Sequence, residues 1–407
     1  MLVGFRRIAA ALAQTNYRAF TIGNAISLIG TWLQRVAVGW VAWQLTKSGT
    51  WLGLVAFADL FPTVLLSPFA GALADRFQRL RIVIITQVIA MFQAIALSAL
   101  VYADMMTIER LFALTVALGV ANALNQPARL ALIPSLVDRE HLPSAVAINS
   151  IVFNSARFVG PAAAGLAIAH GGIGVAFLVN ALTYVAFLGA LALIRLTPDE
   201  LAPTRRSFLS DTAEGYAYAA KHPGIGPMLL ILTITSLSTR AFVELLPGFA
   251  DAVFGRGPEG LAWLTAATGL GAMAGGMWMA QRAGTEGSTR LIVGNVLVMS
   301  AALIGFVATR HFGFAFCCLL VAGFSLVVNG IGAQTLVQYA AAPHMRGRVM
   351  AIYGMIFRGG PAIGALVMGT LSSLIGLQLA VGAGAVVCGL SWLWARRLRD
   401  SMAKALE

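Results

Sequence analysis

Apolar residues in this chain come in long runs; they neither alternate nor form a single stripe. Stretches of roughly 20 mostly apolar residues, the length that crosses a bilayer as a helix, recur throughout and are separated by short charged, polar or Gly/Pro clusters. Breaking the sequence at those clusters predicts twelve helices, near residues 19–45, 51–73, 82–103, 110–133, 143–169, 172–195, 226–250, 258–281, 288–308, 311–340, 345–371 and 376–396. None has the short alternating pattern of a barrel strand. The longest polar interruption, Arg195 to Gly226, divides the twelve six and six. It predicts an N-terminal six-helix bundle over 1–195 and a linker over 196–225 in which Ser207 to Lys221 forms an interfacial helix, followed by a C-terminal bundle over 226–407.

Composition excludes the soluble alternative. The 407 residues are 59% hydrophobic and 11% charged, against about 25% charged in an ordinary soluble domain. So little polar surface cannot coat a soluble protein of this size, so the lipid bilayer is the first expected partner. The opening stretch MLVGFRRIAAALAQTNYRAF has an apolar core too short for a signal peptide, and the first helix is expected to be retained.

Charge then orients the helices. With the N-terminus in the cytosol, twenty Lys and Arg fall in cytosolic segments and four (Lys47, Arg110, Arg256, Arg310) on the other side. This is the positive-inside pattern, expected of a bacterial cytoplasmic (inner) membrane protein with both termini cytosolic. The net charge of +12 reflects that topology, not nucleic-acid binding. Cys317, Cys318 and Cys388 lie in apolar runs without disulfide or metal spacing. The five histidines sit at segment ends or loops. No nucleophile–base constellation and no phosphate-binding GxxxxGK[ST] loop is present, so neither an enzyme nor a metal, cofactor or direct ATP drive is expected.

The halves resemble one another. RFVGPAAAG in the fifth segment returns as FRGGPAIGA in the eleventh, placing Gly160-Pro161 and Gly360-Pro361 at matching positions; GALA at Gly71 finds GAMA at Gly271, and Asn125 has a rough counterpart in Asn329. Together these point to an internal duplication, and parallel six-helix repeats are a recurrent transporter plan.

The charged stretch GALADRFQRLR between the second and third segments resembles the signature motif of the major facilitator superfamily at Gly71, Leu73, Asp75, Arg76 and Arg79, with Gln78 where glycine is usual. NYRAFTIGNAISLIGTWLQRVAVGWVAWQLTKS, NQPARLALIPSLVDREHLPSAVAINS and HMRGRVMAIYG are similar to the branch of enterobactin exporters and macrolide efflux proteins. That resemblance implies an all-α fold of two six-helix bundles working by alternating access, usually against a proton gradient. It also implies a cytosolic gate: Asp75, with Gly71, Arg76 and Arg79, would meet the positive N-terminal end of the eleventh helix, and Arg346 and Arg348 would join the same network.

Six ionisable residues fall well inside the predicted helices: Arg35, Asp59, Arg157, Arg240, Glu244 and Arg358. Each costs roughly 2.5–3.5 kcal/mol at mid-membrane, so each is expected to face the protein interior or a watery cavity. They avoid the third, sixth, ninth and twelfth segments, which the family places outermost. Arg35 shares a stripe with Trp32, Gly39 and Trp43 and lies at the depth of Asp59. The two can form a structural pair, or Asp59 can carry the proton and release Arg35 to substrate. Arg240 and Glu244, four apart, can bridge along one helix, or Glu244 can be a second proton carrier. Arg157 and Arg358 precede the Gly-Pro pairs; they either satisfy carbonyls opened by Pro161 and Pro361 or reach substrate. The Gly-Pro pairs themselves read as hinges where bundles touch.

Four arginines against two carboxylates favour an anionic substrate, and Trp32, Trp40 and Phe242 offer surface for a ring-bearing one, with Asn125 as a further cavity candidate. The function expected is proton-coupled antiport that exports a small or medium siderophore- or drug-like molecule, by a monomer. An importer or gradient-independent lipid or solute mover of the same fold is the alternative, and a non-transporting receptor or scaffold the third.

Overall fold

Inside a bilayer every backbone amide must be bonded within its own segment, and this chain meets that demand with helix. The computed structural model describes residues 9–195, 208–282 and 284–407, and no strand occurs among them. The helices are α1 (Thr15–Thr46), α2 (Gly49–Arg76), α3 (Arg79–Tyr102), α4 (Ile108–Leu132), α5 (Leu142–Ala192), α6 (Phe208–Lys221), α7 (Ile225–Ser238), α8 (Phe242–Gly248), α9 (Gly257–Ala280), α10 (Ser288–Ala308), α11 (Phe312–Ala340), α12 (Arg346–Ile375) and α13 (Leu377–Leu406). α5 holds the fifth and sixth predicted segments in one run, broken at Gly172, whose φ of 78° and ψ of 179° interrupt the helix. A side chain there would be strained, which is why glycine marks the corner.

Eleven spans among the described residues are long and apolar enough to cross a membrane. The remaining expected one, α9, has 24 residues. Its sequence GPEGLAWLTAATGLGAMAGGMWMA is rich in glycine and alanine, which are less apolar than the leucine and isoleucine of the other spans. The fold is thus the all-α, twelve-span architecture expected.

Two segments differ from the sequence reading. The seventh segment is not one helix: α7 stops at Ser238, a turn covers 239–241, and α8 leads into a π-helical turn at Phe249–Val253. The cause is local. Thr233, Thr235, Ser238 and Thr239 each bond a carbonyl one turn back, at 2.6–2.8 Å. Thr235 O also takes the amides of both Thr239 and Arg240. Such side-chain competition bends helices. The last helix, α13, continues ten residues past the expected 396, because Met402 and Leu406 bury against the C-terminal core despite their charged neighbours. The linker helix α6 is described from Phe208 to Lys221, and the expected first residue, Ser207, lies outside the described residues.

The chain divides into two compact units. The described residues of Met1–Leu45 and Pro62–Arg205 form the first. Thr46–Phe61 and Arg206–Glu407 form the second, so the first half of α2 packs with the C-terminal half of the chain. Division at the linker alone assigns that stretch to the N-terminal half. Each unit has its own core. In the first, Phe20 and Phe187 meet edge-on at 5.7 Å and the Tyr17 hydroxyl donates to Ala145 O at 2.8 Å. In the second, Met228, Leu232, Val296, Leu336 and Val349 are buried together. Ile85, Ile89 and Phe92 on α3, and Leu178, Leu182 and Val185 late in α5, are exposed at helical spacing. Such stripes are an association hazard in water and suit contact with lipid tails.

Two polar fasteners close the second unit at its helix ends. The Glu407 carboxylate accepts from Gly287 N at 2.7 Å and Thr289 N at 2.6 Å. It thereby supplies acceptors that the N-terminal turn of α10 lacks within itself. α6 docks on α12 through Glu214–Arg348 at 2.7 Å and on the connection before α12 through Ala342 N, which donates to the Tyr218 hydroxyl at 3.2 Å. At the α6–α7 corner His222 Nδ1 accepts from Gly224 N and Ile225 N, both at 3.2 Å, so this imidazole caps α7 only while Nδ1 is unprotonated. Burial pushes its pKa below the usual value of 6.5. The folded state therefore favours the neutral ring, and stability held above pH 6.5 is lost as pH falls through the lowered value. In detergent, stability is expected to fall over that window by the worth of a cap, about 1 kcal/mol, and the thermal midpoint with it. His222→Asn, which caps without titrating, should flatten the profile; an equally pH-sensitive variant would remove His222 as the cause.

Candidate functional site

The first unit carries an aromatic and cationic cluster built from α1 and the first half of α5. Helical spacing places Trp32 and Arg35 on one face of α1, and Phe153 and Arg157 on one face of α5. Gly160 lets the two backbones close, since a Cβ there would collide with Trp32 Cβ and the Ile29 carbonyl. The result is one indole ring with two guanidiniums near it, Arg35 Cζ at 5.5 Å and Arg157 Cζ at 5.7 Å from its centroid. Phe153 meets the indole edge-on at 6.1 Å. Trp32, Arg35 and Arg157 are half-buried, and Phe153 is 39% exposed.

The second unit has a related arrangement at the α7 break. Arg240, released from helical geometry by the turn, lies 4.0 Å from the Phe357 centroid. Phe357 stacks on Tyr353 at 5.6 Å, and the Tyr353 hydroxyl donates to Gly330 O at 2.8 Å. A cleft beside them is lined by Thr235, Thr239, Arg240, Met299, Asn329 and Gly330, among others. Asn329 Oδ1 accepts from Asn295 Nδ2 at 2.9 Å. Arg240 lies in the turn and Glu244 on α8, so the two do not share one continuous helix.

The remaining expected residues are distributed as follows. Asp59 is half-buried on α2, in the part belonging to the second unit, while Arg35 belongs to the first. Glu244 is half-buried on α8 and Arg358 is exposed on α12. Trp40 and Phe242 are 3% and 0% exposed, so both are packed within their units. Asn125 is 5% exposed and donates to Thr86 Oγ1 at 2.7 Å. Of the charged motif, Arg79 donates to Ala131 O at 3.3 Å; the surroundings of Gly71 and the side chains of Asp75 and Arg76 are not among those described. Arg346 opens α12, and Arg348 is held by Glu214.

The Gly-Pro pairs repeat in space as they do in sequence. Gly160 lies against α1, and Gly360 lies against α7 at Ser236, each contact inside its own unit. Asn125 with Thr86, and Asn329 with Asn295, are likewise equivalent contacts between neighbouring helices.

Sequence reasoning missed Phe153 and Phe357, although one stands four residues before Arg157 and the other immediately before Arg358. It also missed the buried network in which Gln34 donates to Gln93 at 2.8 Å and Asn180 donates to Gln34 at 2.7 Å. A third omission lies at the start of α2. Lys47 pairs with Asp251 at 2.7 Å, the Thr50 hydroxyl donates to Ser373 Oγ at 2.8 Å, and Gly53 and Gly369 pack backbone to backbone.

Twelve spans in two halves with ionisable side chains in mid-helix define a membrane transporter of the major facilitator type. The chain matches the family described as "Transmembrane secretion effector" over residues 8–406, and it belongs to the major facilitator superfamily. It is 26% identical to the enterobactin exporter EntS of Escherichia coli, over 92% of this chain and 90% of the other. Identity to the staphyloferrin A transporter of Staphylococcus aureus is 24%, over 88% and 90%. Among solved structures, a bacterial homolog to the human lysosomal transporter Spinster is similar at a TM-score of 0.72 and 16% identity, covering 96% of this chain and 97% of that one. A bacterial homologue of the iron transporter ferroportin reaches 0.68 at 17% identity, covering 95% and 98%. These structures share the fold.

Gly160→Ala is expected to destabilise the protein by about 1–3 kcal/mol through forced overlap with α1. Gly189→Ala, where an added Cβ meets nothing within 4 Å, should leave the thermal midpoint unchanged or slightly raised. Equal midpoints for the two variants would remove the close-contact role.

Proposed function

We propose that the protein is a secondary active exporter of small or medium organic molecules of siderophore-like character, driven by protons through alternating access. The reading rests on chemistry inside the spans: two carboxylates, Asp59 and Glu244, lie there with four arginines, Arg35, Arg157, Arg240 and Arg358. Burying so many ionisable groups is costly, and proton relay and substrate binding are functions that justify the cost. Relatives named an enterobactin exporter and a staphyloferrin A transporter support cargo of this kind.

In this reading Asp59 is the principal proton carrier and Glu244 the second, while the arginines and Trp32 face the cargo. Gly71, Asp75, Arg76, Arg79, Arg346 and Arg348 are gate residues at the basic, cytosolic end. The protein sits as a monomer in an inner membrane with both termini in the cytosol.

The test is transport of a panel of siderophore- and drug-like molecules in proteoliposomes, with and without an imposed pH gradient. Wild type should respond to the gradient. Asp59→Asn should abolish that response while elution profile and thermal midpoint stay unchanged. Gradient-driven transport that survives in a folded Asp59→Asn protein would remove Asp59 as the carrier, and transport indifferent to the gradient in wild type would favour a uniporter.

A further inference from the structure

On the outer face of the second unit, α10 and α13 both change from apolar to basic at the same depth. The two helices run antiparallel and touch directly: the Ser300 hydroxyl donates to Ala385 O at 2.7 Å and the Cys388 thiol to Val296 O at 3.5 Å. Carried towards the basic end, that register puts Gly294 level with Leu390. It also brings Arg290 within about 4 Å in depth of Arg396 and Arg397, at roughly 1.5 Å per residue. On α13 the exposed stripe of Val386, Leu390 and Leu393 runs straight into Arg397 at helical spacing. On α10 the exposed stripe of Ile304, Ala301 and Leu297 runs through Gly294 into Arg290. Each stripe stands about 90–110° onward from its helix's contact residues, and in an antiparallel pair that offset turns both stripes to one side.

The charges on this face are open. Arg290 and Arg397 are exposed, and neither has a hydrogen bond or ion pair among the described residues. The nearby Asp400 carboxylate feels the charge of Arg290 but is bonded to Arg399, at 3.0 Å. Arg396 lies over Trp392, 5.5 Å from the ring centroid, and tryptophan is enriched where membrane meets water. Beside the stripes Gly294 leaves a notch, since an added Cβ would meet nothing within 4 Å. A soluble anion would use the arginines and leave the apolar stripes idle. A zwitterionic lipid would cover the stripes but bring a cation of its own to the arginines. A lipid with a net negative headgroup and two acyl chains satisfies both.

We propose that Arg290, Arg396 and Arg397 form a headgroup site for one anionic phospholipid of the surrounding bilayer, whose acyl chains lie along Leu390, Leu393 and the Gly294 notch. Guanidinium forks hold phosphate oxygens in two-pronged fashion. Register is what separates this site from the positive charge of an ordinary loop: two helices distant in sequence deliver arginines to one depth. The Glu407 carboxylate, bonded to Gly287 N and Thr289 N, ties the end of α13 to the start of α10 and keeps that register. The site lies in the second unit alone and binds without transport, so it stands or falls apart from the export reading.

The experiment is native mass spectrometry of the purified full-length chain, titrated in detergent with dioleoylphosphatidylglycerol or dioleoylphosphatidylcholine. Thermal midpoints serve as the check on folding. Each basic residue near an anionic lipid surface is worth roughly fivefold, so wild type should bind one phosphatidylglycerol about tenfold or more tightly than phosphatidylcholine. The double substitution Arg290→Gln and Arg397→Gln should erase that preference and leave phosphatidylcholine binding unchanged. Arg290→Lys with Arg397→Lys should keep most of it. Arg18→Gln with Arg139→Gln removes two exposed arginines of the first unit and should leave phosphatidylglycerol binding as in wild type. Equal binding of the two lipids by wild type, or an undiminished preference in the folded glutamine pair, would overturn the site. So would an equal loss in the Arg18 and Arg139 pair, which would reduce the effect to net charge. Displacement of the lipid by an equal concentration of inorganic phosphate would also overturn it, because the acyl contacts would then add nothing. A lipid-free dimer that the glutamine pair abolishes would assign the face to a second copy of the chain instead.

Discussion

Close backbone contact at small residues is the constraint on which the rest of this structure depends. Lipid tails are as apolar as leucine, so apolar helices gain little in a bilayer merely by touching; they associate through fit. Gly360 and Gly364 on α12 and Gly384 on α13 all lie against the last turn of α7, where added side-chain carbon would overlap Ser236 or the carbonyls of Leu237 and Ser238. Gly271 and Gly323 bring α9 and α11 equally close. These approaches hold α7 where its hydroxyl-rich end frays, and the fraying in turn frees Arg240 to lie over Phe357. Packing comes first and the placement of charge follows from it.

The same contacts give the internal repeat a physical meaning. A duplicated sequence keeps what its fold cannot do without, and here that is the glycine before each proline and the buried asparagine on the fourth and tenth spans. What lies beside those fixed points has diverged. Next to Gly160 stands an indole with two arginines; next to Gly360 stands a serine on a broken helix. The two halves thus keep a shared frame and fill it with unlike side chains.

The spans were legible because a helix in lipid must declare itself with about twenty apolar residues, and the positions of the charges were legible because they violate that rule. Elsewhere the sequence signal was weaker than the physics. The turn at 239–241 depends on whether Thr and Ser side chains win a carbonyl from the helix, and Ser and Thr occur in intact helices elsewhere in the chain. α13 outran its apolar stretch because burial of Met402 and Leu406 outweighs the arginines between them and the membrane. The ring partners Phe153 and Phe357 were hidden by abundance: among 22 phenylalanines, nothing local separates one that meets a functional side chain from one that packs. Trp40 and Phe242 show the converse, aromatic residues on suggestive segments that the fold uses for filling.

The carboxylate at the end of α13 has a consequence for biogenesis. The amides at the N-terminus of α10 find their acceptor in Glu407, 118 residues further along the chain in the case of Thr289. A ribosome threading these helices into the membrane in order must therefore release α10 with its first turn unfinished. Three more spans follow before the missing acceptor is made. During that interval those amides have only water as an acceptor, and the protein's own acceptor arrives when residue 407 docks.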